Sequence, residues 1–245
     1  MQDIAQIRVI AHRGASFYAP ENTLAAFELA AEQGAAAIEC DAKLTRDGKV
    51  ILMHDDKVDR TTSGRGAARR FDLKAIRDLD AGAWFAPKYR GERVPTLDEA
   101  MALWARRGLF PQIEIKPCDG RAEETGKIVA RETAKLWPRD LPRPLLSSFS
   151  MRALEAAREA APGLPRAWLT ERLPKDWQNR AERLGCVALH CSRKHLTEAH
   201  ARRIKAAGLA LRCYTVNEPA LAKRLFGWGV DSVFTDCPDR ILAAV

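Results

Sequence analysis

At 245 residues, 47% of them hydrophobic and 29% charged, the chain has the composition of a soluble globular protein and the length of one α/β-barrel domain. No apolar run approaches the ~20 residues that span a bilayer, which argues against stable membrane insertion. The net charge of +8 fits an anionic substrate; nucleic acid or an anionic membrane surface is the other reading, but basic patches such as Arg69-Arg70, Arg106-Arg107 and Arg202-Arg203 come with no nucleic-acid motif and read as solvated helix faces.

In chain order, an apolar run at 7–11 predicts a first strand that flows into His12, Arg13 and Gly14. A strand so near the start leaves no room for a cleaved leader, so a cytoplasmic location is expected. After a loop at 15–20, Glu21, Asn22 and Thr23 open a helix with Leu24, Phe27 and Ala31 on one face and Gly34 as its terminator. The apolar stretch 35–38 begins a second strand that ends in Glu39 and Asp41. Alternate residues of a strand share a face, so the two carboxylates point one way and Cys40 the other. Asp47-Gly48 predicts a tight reversal, and 50–54 an extra strand, antiparallel to the second, that delivers His54.

Residues 55–95 break the pattern. They carry a turn-rich segment at 61–66, one short helix signal at 73–79 and a small and aromatic stretch at 80–85. A connection this long reads as an insertion with structure of its own, placed to cover the site. Trp84 and Phe85 either wall the pocket or pack the insertion onto the main fold, and Gly64-Arg65-Gly66 lacks phosphate-loop spacing and reads as a turn. Alternation resumes at Thr96, where Glu99 three residues on predicts a capping box. Short apolar strands follow at 110–116, 145–149, 166–170, 187–190, 209–216 and 231–235, each followed by a helical stretch. Eight strands alternating with helices predict a closed TIM (β/α)8 barrel, one domain over 1–245 with its insertion after the second strand. The six cysteines form no Cys-x-x-Cys pair, and most lie in or just after apolar strands, as reduced buried thiols do.

In such a barrel the chemistry gathers at the C-terminal strand ends. His12 and Arg13 follow the first strand, Glu39 and Asp41 end the second, and Glu114 and Lys116, again two apart, end the third; Ser148, Asn217 and Asp236 lie at or after later ends. Three converging carboxylates without a cluster of histidines or cysteines suit a hard cation bound through oxygen, Mg²⁺ or Ca²⁺. A cation beside Arg13 and Lys116 suits phosphate, and two histidines can serve as general acid and base. His190 either lines the pocket or is structural. His195 and His200 lie in a basic surface stretch and are read as non-catalytic.

The ordered set His12-Arg13-Gly14, Pro20-Glu21-Asn22-Thr23, Glu39-x-Asp41, Leu44-Thr45-x-Asp47-Gly48, His54-Asp55, Glu114-Ile115-Lys116 and Thr235-Asp236 resembles the signature of the glycerophosphodiester phosphodiesterase family. Leu79 to Phe85 and Pro95 to Glu99 are also similar to that family, and Tyr214 to Asn217 resembles its small cytoplasmic bacterial members. The resemblance implies a phosphoric diester hydrolase that converts deacylated phospholipids, such as glycerophosphocholine or glycerophosphoethanolamine, to sn-glycerol 3-phosphate and an alcohol. Carried over by motif, it implies Glu39, Asp41 and Glu114 as metal ligands, His12 and His54 as the acid/base pair, and Arg13 and Lys116 on phosphate. Glu21, Asn22 and Asp55 would support them. Competing readings are a lysophospholipase D, a two-carboxylate glycosidase that leaves both histidines and Lys116 without a purpose, and a non-catalytic anion binder that would hold nucleic acid in a salt-sensitive way.

Overall fold

The computed structural model describes residues 7–245. Its apolar runs become nine strands: β1 (Val9–His12), β2 (Ala37–Leu44), β3 (Val50–Leu52), β4 (Phe110–Ile115), β5 (Leu145–Ser148), β6 (Arg166–Thr170), β7 (Ala188–Ser192), β8 (Ala210–Tyr214) and β9 (Ser232–Thr235). Eight of them are parallel neighbours, and β1 pairs with both β2 and β9, so the sheet closes on itself as the TIM barrel predicted. β3 is the ninth, antiparallel to the outer part of β2. Between the strands run α1 (Leu24–Glu32), α2 (Leu73–Arg77), α3 (Leu97–Arg107), α4 (Ala122–Leu136), α5 (Met151–Ala160), α6 (Trp177–Leu184), α7 (Glu198–Ala206), α8 (Pro219–Gly227) and α9 (Pro238–Leu242).

Strand alternation divides the apolar residues between two places. Ile10, Ala37, Phe110, Leu145, Ala167 and Phe234 form one buried cluster, the fill of the barrel. Their neighbours, such as Ala11, Ile38, Cys40 and Ile113, pack outward against Phe27, Leu97 and Trp104 of the helices. The capping box forms as predicted, with Thr96 accepting from the Glu99 amide and Glu99 from that of Thr96. All six cysteines are buried and unpaired. The basic patches at the α3 end are solvated and paired, Arg106 and Arg107 both reaching Glu28.

Several strand bounds shift by a residue or two, Lys116 for one falling just past β4, and three shifts near the site have a plain cause. β1 runs through His12, so that histidine is part of the strand, and Ile7 precedes it. β2 continues past its carboxylates to Leu44 because β3 supplies a second partner where β4 stops, at the level of Ala42. β3 is three residues long, which leaves His54 in the loop beyond it. The insertion has its own small core of Val58, Ala68, Ile76, Ala81 and Val94 packed on Ile51 and Met53. It leans on the β3 side of the barrel.

One close approach depends on a missing side chain. A Cβ at Gly126 of α4 would stand 2.2 Å from the carbonyl oxygen of Ala153 in α5. Gly126→Ala is therefore expected to force the helices apart at a cost of roughly 1–3 kcal/mol, lowering the unfolding midpoint by roughly 2–4 °C per kcal/mol. Calorimetry reads the shift, and an unchanged midpoint would contradict the close packing of these two helices.

Candidate active site

The register brings the sequence pairs together. Parallel pairing sets His12 beside Glu39 and Asp41 beside Glu114. Glu39, Asp41 and Glu114 each offer an oxygen, and these lie within 4.8 Å of one another. All three carboxylates are buried or nearly so. Burial and the neighbouring charges of Asp41 and Glu114 push Glu39 well above the carboxylate range. Burial and Asp41 likewise push Glu114 up to about 7. Burial would also raise Asp41, but Arg13 and Lys116 outweigh it and hold the group at about 2. Two cations cannot neutralise three carboxylates, and Asp41 Oδ1 is a buried oxygen with no hydrogen-bond donor. An oxygen-rich set short of positive charge, with an orphaned ligand atom, fits a divalent cation.

Asn22 holds Asp41 from two sides. Its amide donates to Asp41 Oδ2 at 2.8 Å, and its Oδ1 accepts the Asp41 backbone N–H at 3.1 Å. Asn22 does this from a left-handed backbone, φ 57°, a conformation asparagine tolerates better than most residues. Arg13, also left-handed, gives its backbone N–H to Glu39 at 3.1 Å while its guanidinium lies 3.0 Å from Asp41 and 2.9 Å from Glu21. Lys116 Nζ lies 3.1 Å from Glu114 and 3.7 Å from Asp41.

Both histidines are held by the same device. His12 Nδ1 is 2.7 Å from Asp236 Oδ1, and His54 Nδ1 is 2.7 Å from Asp55 Oδ1. A carboxylate accepts, so each Nδ1 carries the proton and each Nε2 is left for other work. Asp236 is itself held by Asn217 and Ser16, at 2.7 and 3.1 Å. Burial pushes Asp236 up, but its bond to His12 prevails and holds it at about 2. Arg60 bridges Asp55 and Glu21 with four hydrogen bonds of 2.7–3.0 Å, tying the His54 loop to the Arg13 loop.

These groups rim a cavity of about 160 Å³, with Ser147, Leu169, His190 and Phe234 deeper in and Phe149 and Tyr214 at one side. Phe149 stands edge-on to Tyr214, 5.9 Å between ring centres. Sequence reading missed Arg60, which carries no periodic signal, and left Asp236 as one polar strand end among several. It named Ser148, whose hydroxyl turns outward to the Ile115 carbonyl; the cavity takes Ser147 instead. His190 lines the cavity, while His195 and His200 do not. No residue of 55–95 lines it either; the insertion reaches the site through Asp55 and Arg60 and, with Thr61, Ala81 and Val94, borders a smaller crevice beside His54. Trp84 and Phe85 pack edge to face on each other, and Phe85 on Tyr89, within the insertion.

A TIM barrel with a carboxylate cluster, two carboxylate-held imidazoles, an arginine and a lysine at the C-terminal strand ends defines an enzyme of phosphate-ester chemistry. The comparisons narrow the class. Residues 12–240 match the model of the glycerophosphoryl diester phosphodiesterase family. A glycerophosphodiester phosphodiesterase of Caldanaerobacter subterraneus is 36% identical over 242 residues, covering 97% of both chains. One from Bacillus subtilis is 36% identical over 249 residues, 96% of this chain and 85% of that one. A solved Oleispira antarctica phosphodiesterase, in complex with the product sn-glycerol-3-phosphate, is 40% identical with a TM-score of 0.94, covering 97% of this chain and 96% of its own. The chain belongs to the glycerophosphoryl diester phosphodiesterase family.

Proposed function

We propose that this protein hydrolyses glycerophosphodiesters, with glycerophosphocholine and glycerophosphoethanolamine as representative substrates, to sn-glycerol 3-phosphate and an alcohol. The observation that carries the reading is the juxtaposition of the Glu39, Asp41 and Glu114 cluster with two imidazoles whose Nε2 atoms make no hydrogen bond among the described residues, that of His12 lying 3.9 Å from Glu39 Oε2. The Oleispira relative's complex with the product supports a glycerol phosphate as the ligand of such a site. Mg²⁺ or Ca²⁺ held by Glu39, Asp41 and Glu114 would supply positive charge to the phosphoryl oxygens.

Arg13 and Lys116 bind the phosphate beside it and neutralise charge that grows in the transition state. One imidazole, through Nε2, takes the proton of the attacking oxygen, from water or from the neighbouring glycerol hydroxyl. The other gives its proton to the leaving alcohol as the phosphorus–oxygen bond breaks. If the glycerol hydroxyl attacks, a cyclic phosphate forms, and water opens it with the two imidazoles in exchanged roles. Asn22 and Glu21 fix Asp41 and Arg13, and Asp55 and Asp236 fix the histidines. The small cavity favours a glycerol moiety over the acyl chain that a lysophospholipase D accepts. No helix among the described residues is long and apolar enough to cross a membrane, which is compatible with a cytoplasmic enzyme acting on small molecules.

The test is release of glycerol 3-phosphate from glycerophosphocholine by the purified protein with Mg²⁺ or Ca²⁺, set against lysophosphatidylcholine. Release from the first substrate alone is expected. Turnover of the lysolipid alone would reverse the substrate assignment.

Asp236→Asn probes the histidine geometry. The new amide can donate to His12 Nδ1, which moves the imidazole proton to Nε2 and blocks proton abstraction there. A fall in kcat of roughly 10²-fold or more is expected by analogy with tautomer reversal in catalytic triads. Steady-state kinetics at saturating substrate decide it, and a rate close to wild type would show that Asp236 does not orient His12.

A further inference from the structure

Arg212 lies in register with His190 across β7 and β8, so the two side chains share the inner face of the barrel. The guanidinium is buried, has no carboxylate within ion-pair reach among the described residues, and leaves its Nε without a partner. Its polar contact is with His190, Nη1 to Nε2 at 3.2 Å. A guanidinium only donates, so His190 Nε2 must accept, and in a neutral imidazole the proton then sits on Nδ1. Burial, reinforced by Arg212, holds His190 well below the usual histidine range and hence neutral.

His190 is thus the reverse of the two rim histidines. Theirs is an Nδ1 tied to a carboxylate with Nε2 presented; here Nε2 is tied and Nδ1 is left. Nδ1 has no protein acceptor among the described residues, and the residue lines the cavity. Its depth is distinct too. His190 is 1% exposed, against side-chain exposures of 19% and 31% for His12 and His54. A phosphate gripped at the rim by Arg13 and Lys116 would leave the deeper cavity, where His190 sits, to one of its two ester groups.

We propose that His190 donates from Nδ1 to the terminal glycerol hydroxyl, the one farthest from the phosphate, and that Arg212 is a positioning residue that fixes the donor tautomer. The inference rests on the glycerophosphodiesterase reading and adds to it a group that selects glycerol over other alcohols. Buried donors of this kind discriminate strongly, because an analogue lacking the hydroxyl leaves them unpaired.

The experiment compares kcat/KM for glycerophosphocholine with that for its counterpart lacking only the terminal hydroxyl, a propane-1,2-diol phosphocholine. Wild type should prefer the glycerol substrate. His190→Gln keeps an acceptor for Arg212 but withdraws the cavity-side donor, and should reduce that preference on the order of 10–100-fold. His190→Asn places an amide near the Nδ1 position and should retain most of it. A wild-type preference left intact in His190→Gln overturns the inference, as does a wild-type enzyme that turns over both substrates equally well. No turnover of glycerophosphocholine by wild type overturns the functional reading itself. A measurement independent of the variants is the ¹⁵N imidazole spectrum of the wild-type protein. The His190 Nδ1–H resonance should shift on adding sn-glycerol 3-phosphate, and a resonance indifferent to that ligand contradicts the contact.

Discussion

Alanine at His54, or at His12, is expected to lower the turnover of glycerophosphocholine on the order of 10²–10⁴-fold while leaving the fold intact. The size follows from the work assigned to each imidazole, a proton moved at the reacting oxygen. The survival of the fold follows from what the histidines leave behind. Without His12, Asp236 still accepts from Asn217 and Ser16. Without His54, Asp55 still accepts twice from Arg60. Neither carboxylate is orphaned, and both imidazoles are only partly buried, so little core packing is lost. Kinetics give the rate and calorimetry the midpoint. A variant that folds and retains near-wild-type turnover would remove that histidine from the chemistry. Because the two act on one reaction, the double variant should lose less than the product of the single losses.

The second large effect concerns the acidic cluster. Excess EDTA is expected to abolish turnover, and Mg²⁺ or Ca²⁺ to restore it and to raise the unfolding midpoint. A cation at 100 times its dissociation constant stabilises the native state by about 2.7 kcal/mol. Glu39→Gln separates charge from structure. The amide oxygen of Gln can still accept the Arg13 backbone N–H that Glu39 accepts at 3.1 Å, so the loop is retained. Burial and its acidic neighbours already disfavour the Glu39 charge, however, and Gln carries none. In EDTA the variant should unfold at a temperature equal to or above that of wild type, since it no longer needs to take up a proton to keep that buried position neutral. With the cation it should gain less than wild type and stay nearly inactive. A variant that responds to the cation as wild type does would exclude Glu39 as a ligand, and chelator-resistant activity would remove the cation from the mechanism.

How much of this was legible beforehand depends on how local each feature is. The spacing of two in Glu39-x-Asp41 and Glu114-x-Lys116 sets both members of each pair on one strand face whatever surrounds them. The capping box at Thr96 and Glu99 is settled within one turn, and it appeared as read. The alternation of eight apolar strands with helices carried the barrel for the same reason. Strand ends were less legible, because pairing partners decide them: β2 extends to Leu44 only because β3 returns beside it.

The sequence by itself thus determined the barrel, the carboxylates, the two rim histidines and the charge that suits a phosphate, since periodicity and residue chemistry are properties of short segments. Tertiary structure alone decided who holds whom. Asp236 reaches His12 across 224 residues because closure lays β9 against β1, an adjacency no local pattern contains. Arg60 joins Asp55 to Glu21 because a long side chain in an irregular insertion happens to span two loops. Arg212 meets His190 because parallel register places them side by side on the inner face, where the guanidinium finds the imidazole Nε2 as its acceptor.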